Sequence, residues 1–416
     1  MTENTDFTPI TMIPGYTYRE AGQFIEMCLD LDAQDDRAKD KTNPDFQPQI
    51  DTARWNPAPL YDSRQAVAQD LATFIANNNT PPAGAEGWRG LYAEIVERGK
   101  KLSISKWDAQ SIEDDPRING FGPNQIAWTL YEGRGEFAGA YAIAVRGTVF
   151  TSLPSAVEDF LTQPVYARQF LSAQVSFAEG DGCTLHSGFA HGTFSLLLDD
   201  RYGVLHVLQA RALPQGTRLF VTGHSQGAAM ASLCHAFLHT AAQQTDGDVF
   251  GLVKQNYQLK SYVFAQPKPG NVDFAAEFAR HTQQRDSALV INNDIDVVPL
   301  VPLTLQDLDD ITVDIPSTSW KVLFTKHVVG AIGYALHGLL GHIAEPLTVK
   351  FDAGFGNFFN YNGLKPLGKD RAGESFDFQS AGHVLFVYGD SSDRSDLFVQ
   401  HHAYTYRKLM RAQLNY

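Results

Sequence analysis

Leu219-Phe220-Val221-Thr222-Gly223-His224-Ser225-Gln226-Gly227-Ala228-Ala229-Met230-Ala231-Ser232-Leu233 decides the fold. Its first four residues are β-branched, aromatic or leucine and predict a strand. The run after Gly227 is small and straight-chained and predicts a helix. Between them lies Gly-x-Ser-x-Gly, the pattern of a sharp strand-to-helix turn that lifts a serine hydroxyl clear of the sheet. Gly223 and Gly227 are required because a side chain at either position would collide with the neighbouring strand or helix. An ordinary turn between strand and helix is the competing reading. The placement of the motif at that junction favours Ser225 as a nucleophile, with Gly223, His224 and Gly227 forming its elbow.

Working outward, Tyr141-Ala142-Ile143-Ala144-Val145 is an apolar strand ending in Arg146-Gly147-Thr148, and His186-Ser187-Gly188-Phe189 lies between it and the serine. Downstream come Tyr262-Val263-Phe264-Ala265-Gln266-Pro267-Lys268-Pro269-Gly270-Asn271 and Asn293-Asp294-Ile295-Asp296-Val297-Val298-Pro299. This ordered set resembles the class 3 lipase family, whose members include filamentous-fungal triacylglycerol lipases and plant phospholipases A1. The resemblance covers residues 125–300 well and the last forty loosely. It does not reach the first hundred residues or the stretch 303–380. It implies an α/β-hydrolase fold, with a mainly parallel sheet flanked by helices, and hydrolysis of carboxylic esters.

A serine hydroxyl is inert at its own pKa and needs a histidine base, which in turn needs a carboxylate to fix its tautomer. In α/β-hydrolases these follow in the order serine, acid, histidine. The resembling family places its acid just before an x-Val-Pro, which selects Asp296 over Asp294. Alternation alone does not separate the two, because residues two apart in an extended segment face the same side. Thirteen histidines are present. Family members place the base five residues before a tyrosine in a terminal helix, and Tyr406 then selects His401, with His402 as the alternate base. His383 opens a strand ahead of the family's position and stands as a fallback.

The resemblance further assigns an oxyanion hole to Thr148 and the backbone N–H of Gln226. Arg146 is expected to anchor a buried carboxylate, and His186 to be a packed structural residue. Two segments are expected near the acyl site. One follows Thr148 and includes Leu153, where fungal relatives carry a short helical lid. The other lies within 303–380, where Ile332, Leu336, Leu339, Leu340 and Ile343 share one helical face. A buried helix and a mobile cap remain alternative readings of that second segment.

With 33 basic and 47 acidic side chains, net −14, nucleic acid and anionic membrane surfaces are disfavoured as main partners. Neither cysteine nor histidine spacing forms a metal motif, so no metal and no cofactor is expected. No apolar run is long enough to span a bilayer. Residues 1–110 read as a mostly helical N-terminal extension packed on the core, with helices over Tyr18–Leu31, Ser63–Asn77 and Trp88–Lys101. Residues 111–416 read as the catalytic domain, with 303–380 an inserted cap or lid region. The expected substrate is a lipid ester, chiefly an acylglycerol, met at a lipid–water interface; oligomeric state is left open. A phospholipase A1 and a non-catalytic, lipase-like signalling protein are the alternatives. The N-terminus lacks the basic and apolar regions of a signal peptide, which predicts a cytoplasmic protein or one exported by another route.

Overall fold

The computed structural model describes residues 13–32, 44–104, 106–122, 125–147, 164–168, 176–245, 248, 250–283, 285–296, 298–300, 378–392 and 399–414. Thr148, Leu153, Ile332, Leu336, Leu339 and nearly all of 303–380 lie outside the described residues.

The first described element is α1 (Tyr18–Leu31), started by Thr17, whose hydroxyl accepts the Glu20 N–H at 3.1 Å. Then come β1 (Tyr61–Asp62), α2 (Ser63–Ala76), α3 (Arg89–Lys101), α4 (Ala109–Glu113), β2 (Trp128–Glu132) and β3 (Ala140–Val145). The middle of the chain supplies β4 (Pro164–Tyr166), β5 (Thr184–His186), α5 (Ser187–Leu198) and α6 (Val204–Arg211). The elbow strand β6 (Arg218–His224) runs into α7 (Gln226–Ala242), followed by α8 (Leu252–Gln255) and β7 (Gln258–Phe264). Last are β8 (Gly270–Asn271), α9 (Val272–Gln283), β9 (Ala288–Asn293), β10 (Phe378–Gln379), β11 (His383–Val387) and α10 (Ala403–Leu414).

Seven strands form the main sheet in the order β1-β2-β3-β6-β7-β9-β11. The five from β3 to β11 pair in parallel, while β1 and β2 join antiparallel at one edge. Parallel neighbours need crossover helices on both faces, so these strands must be apolar on both sides. The sequence meets that demand by alternation. Ile143, Val145, Leu219, Val221, Val263 and Val290 enter the core beneath α5, α6, α7 and α9. Ala142, Ala144, Phe220, Tyr262, Phe264, Leu289 and Ile291 enter the opposite core, shared with α1 and α10. The alanines of β3 leave room there for aromatic bulk. Phe24 stacks on Tyr262 at 5.1 Å, and Trp55 stacks on Phe137 at 5.2 Å. The fold is that of an α/β-hydrolase.

The first hundred residues do more than lie against this core. Tyr61 pairs with Leu130 and Asp62 with Thr129, so β1 is built into the sheet as its edge strand. Among the described residues α2, α3 and α4 build a further cluster, centred on Leu71, Phe74, Tyr92, Ile95 and Ile112. Among the described residues no helix is long and apolar enough to cross a membrane.

Candidate active site

At the end of β6 the backbone turns on Ser225, with φ 60° and ψ −134°. Few L-residues adopt that conformation, and its strain of about 1–3 kcal/mol must be held by the surroundings. Backbone bonds hold it: the Ser225 N–H donates to Phe264 O at 3.0 Å, and Ser225 O accepts the Ala228 N–H at 2.8 Å and the Ala229 N–H at 3.4 Å. The flanking glycines are there for space. A Cβ on Gly223 would stand 2.1 Å from Gly227 O, and one on Gly227 would stand 2.4 Å from Val145 O. β3, β6 and α7 can therefore meet this closely only with hydrogen at both positions.

Ser225 Oγ lies 2.8 Å from His401 Nε2, and His401 Nδ1 lies 2.8 Å from Asp296 Oδ2. A carboxylate only accepts, so Nδ1 carries the proton and Nε2 is left to accept from the serine hydroxyl. The His401 and Asp296 side chains are each 1% exposed, so the pair sits in a low dielectric where its bonds are strong. Asp296 Oδ1 accepts the Val298 N–H at 3.0 Å, which fixes the carboxylate plane. Asp294 is turned elsewhere, accepting the Gly389 N–H at 2.7 Å. His402 stacks on Tyr404 at 5.5 Å, and the histidine bonded to Ser225 Oγ is His401. His383 starts β11 and stands edge-on to Tyr16.

Two buried side chains support this group, and neither role is legible locally in the sequence. Tyr406 donates its hydroxyl to Asp296 Oδ2 at 2.8 Å and accepts the Asn293 N–H at 2.9 Å. Burial, reinforced by the Asp296 charge, pushes its ionisation well above the ordinary tyrosine range, so it remains a donor. The five-residue spacing from His401 to Tyr406 was the available signal, although spacing does not disclose the bond. His224 Nε2 sits 2.6 Å from His401 O, and a carbonyl only accepts, so Nε2–H donates. Burial first, then the nearby His401, holds His224 neutral by lowering its pKa well below the usual histidine value. Asn293 also donates to Gln400 O at 2.9 Å, tying the strand before the acid to the loop before the base.

Gln226 is buried as the first residue of α7, at the positive end of the helix dipole. Gln266 closes the far side of the elbow, bonding Ser232 Oγ at 2.7 Å and both the N–H and C=O of Ala381. His186 caps α5 by accepting the Phe189 N–H and stacks on that ring at 4.1 Å. Arg146 departs from expectation. It is fully buried, yet its guanidinium meets Asn119 Oδ1 at 2.6 Å and Gln125 O at 2.7 Å instead of a carboxylate. Burial lowers its pKa to about 9, with the neighbouring Arg64 adding to the shift and Asp62 opposing it. Among the described residues no group of three or more histidine, cysteine or acidic side chains is arranged to hold a metal.

This is the layout of an α/β-hydrolase, with a serine on the strand-to-helix elbow and a histidine and a carboxylate in line behind it. Residues 142–306 match the family model described as lipase (class 3). That segment, which carries the serine elbow and Asp296, is similar to the class 3 lipases. No curated protein matches the chain. Among solved structures it is similar to M37 lipase, at 17% identity over 84% of this chain and 92% of that one, with a TM-score of 0.43. It is also similar to the triacylglyceride lipase of Rhizomucor miehei, at 18% identity over 59% and 73% of the two chains and a TM-score of 0.30. A lipase from Rhizopus microsporus var. chinensis is 21% identical over 54% and 71%, with a TM-score of 0.30.

Proposed function

We propose that the protein hydrolyses lipid carboxylic esters, acylglycerols first among them, through an acyl-enzyme on Ser225. His401 Nε2 takes the hydroxyl proton as Oγ attacks the ester carbonyl, and returns it to the departing alcohol. Asp296 holds the Nδ1–H tautomer and stabilises the imidazolium formed during attack. The Gln226 N–H and Thr148 receive the tetrahedral oxyanion. Water then repeats the sequence on the acyl group and releases a carboxylic acid. The observation that carries this reading is the unbroken chain Ser225 Oγ–His401 Nε2 and Nδ1–Asp296 Oδ2, both links at 2.8 Å.

The test is turnover of p-nitrophenyl butyrate, tributyrin and phosphatidylcholine by the full chain, with covalent capture by a fluorophosphonate. Ser225→Ala is expected to abolish capture and lower hydrolysis by several orders of magnitude while remaining folded. Retention of more than about a tenth of the activity removes Ser225 from the mechanism. Release of sn-1 acyl chains from phosphatidylcholine in preference to tributyrin would redirect the substrate class to phospholipids. A folded wild-type protein that neither turns over an ester nor takes the probe would leave the non-catalytic reading standing.

A further inference from the structure

We propose that Glu26, in the N-terminal helix α1, is a positioning residue for the catalytic base and acid, acting through α10. The proposal rests on the serine-hydrolase reading above and extends the working site to a part of the chain that the family match does not reach.

Glu26 is 1% exposed and meets two arginines of α10. Arg407 Nη1 donates to its Oε2 at 3.0 Å, and Arg411 Nη2 donates to its Oε1 at 2.9 Å. The segment after α1 completes the clamp. The Gln49 N–H donates to Glu26 Oε2 at 2.8 Å, Arg407 Nη1 also reaches Gln47 O at 2.7 Å, and Arg411 Nη2 reaches Gln49 Oε1 at 3.0 Å. Phe46 stands edge-on to Tyr404 at 5.3 Å, and Tyr404 stacks on His402.

What makes this more than a tie between two helices is the adjacency of Arg407 and Tyr406. Neighbouring helix residues point about 100° apart. Here Tyr406 faces the sheet and bonds Asp296, while Arg407 faces α1 and bonds Glu26. The rotation of α10 about its own axis therefore sets the position of the Tyr406 hydroxyl, and Glu26 fixes that rotation. His401 lies just before the first turn of the same helix, so its approach to Ser225 depends on the same docking. Removing the Glu26 charge leaves both arginines with neutral acceptors only, one amide oxygen at position 26 besides Gln47 O and Gln49 Oε1, and α10 is free to roll or shift by a fraction of an ångström. Triad geometry is sensitive on that scale: a misplacement of about 1 Å caused far from the chemistry can cost roughly a hundredfold in rate.

The test compares Glu26→Gln with wild type and with Asp70→Asn. The last variant weakens the Asp70–Arg201 pair, which joins α2 to the loop before α6 and includes no residue of the Glu26 clamp. At a temperature where circular dichroism shows each protein folded, Glu26→Gln is expected to lower kcat on p-nitrophenyl butyrate by about tenfold or more, with KM within about twofold. Fluorophosphonate capture of Ser225 should slow in the same proportion, and Asp70→Asn should keep its kcat. A kcat for Glu26→Gln within twofold of wild type overturns the proposal, as does an equal loss in Asp70→Asn, which would mark a general effect of instability. Should Glu26→Gln fail to fold, Arg411→Gln carries the test, since that side chain is 39% exposed and dispensable for burial. It is expected to lower kcat by about threefold, and an unchanged kcat overturns the proposal. Wild-type turnover with insensitive variants defeats this inference alone. A wild-type chain that takes no probe and turns over no ester defeats the hydrolase reading beneath it.

Discussion

Tyr406→Phe removes one oxygen atom from a fully buried position and should separate stability from catalysis in a measurable way. The hydroxyl donates to the Asp296 carboxylate at 2.8 Å and accepts the Asn293 N–H at 2.9 Å. A hydrogen bond to a charged group contributes about 1.5–3 kcal/mol, and a buried N–H left unsatisfied costs about 1–3 kcal/mol. Partial relaxation of the strand end should bring the total to about 2–4 kcal/mol of lost stability. Asp296 Oδ2 keeps its bond from His401 but loses the second donor that fixes where it sits, so the imidazolium formed in the transition state is less well supported. We expect kcat on p-nitrophenyl butyrate to fall by about tenfold, or about 1.4 kcal/mol of barrier, with KM unchanged. Urea melts read the first effect and steady-state kinetics the second. A normal kcat alongside the expected destabilisation would reduce Tyr406 to a packing residue. Normal values of both would mean that the two hydrogen bonds contribute nothing.

His401→Ala should be as damaging as Ser225→Ala, since members of one catalytic unit do not act additively, while His402→Ala should cost far less; the reverse ranking in kcat would move the base to His402. Cys28, Cys183 and Cys234 are buried, and burial is the main cause pushing each thiol up to about 12, so a disulfide reagent should find no reactive thiol in the native chain and three after denaturation. Burial lowers the pKa of His235 from 6.5 to about 3. The unfolded chain therefore binds the extra proton across that window, and stability is lost as pH falls through it. Burial raises Asp199 from 3.8 to about 7, so its contribution has the opposite sign and is lost as pH rises. Asp199→Asn should accordingly steepen the rise of stability between about pH 4 and 6.5 by about 1.4 kcal/mol per pH unit in urea melts. An unchanged slope would show that Asp199 does not titrate in that range.

What the sequence discloses follows the range over which each interaction acts. The elbow is local: two glycines, a serine, a strand before and a helix after, all within fifteen residues, and steric necessity makes it readable. Helices α1, α2 and α3 fall within a residue of the ranges that helical spacing predicts, because an amphipathic stripe is also a local property. The sheet alternation is legible for the same reason. Asp296 and His401 are selected by family spacing, and the structure sets both at Ser225. Tyr406, His224 and Glu26 lie beyond such reading. Their partners stand 110, 177 and 381 residues away, and nothing in the flanking residues announces them. Arg146 illustrates a subtler limit. Its burial follows from its place at the end of an apolar strand, but the choice of Asn119 over a carboxylate depends on a loop packed from elsewhere.

The bond between Glu26 and Arg407 spans 381 residues, and that distance has a meaning in time. At elongation rates of about 5–20 residues per second, roughly 20 to 80 s separate the synthesis of α1 from that of the helix it must grip. Closing so long a loop in a disordered chain would cost about 5 kcal/mol of entropy. Prior assembly of the sheet shortens the effective loop, so the central strands have to stand before α10 docks. Ser225 on its elbow thus exists well ahead of His401. A nascent chain carries the proposed nucleophile before the histidine that would activate it has been made.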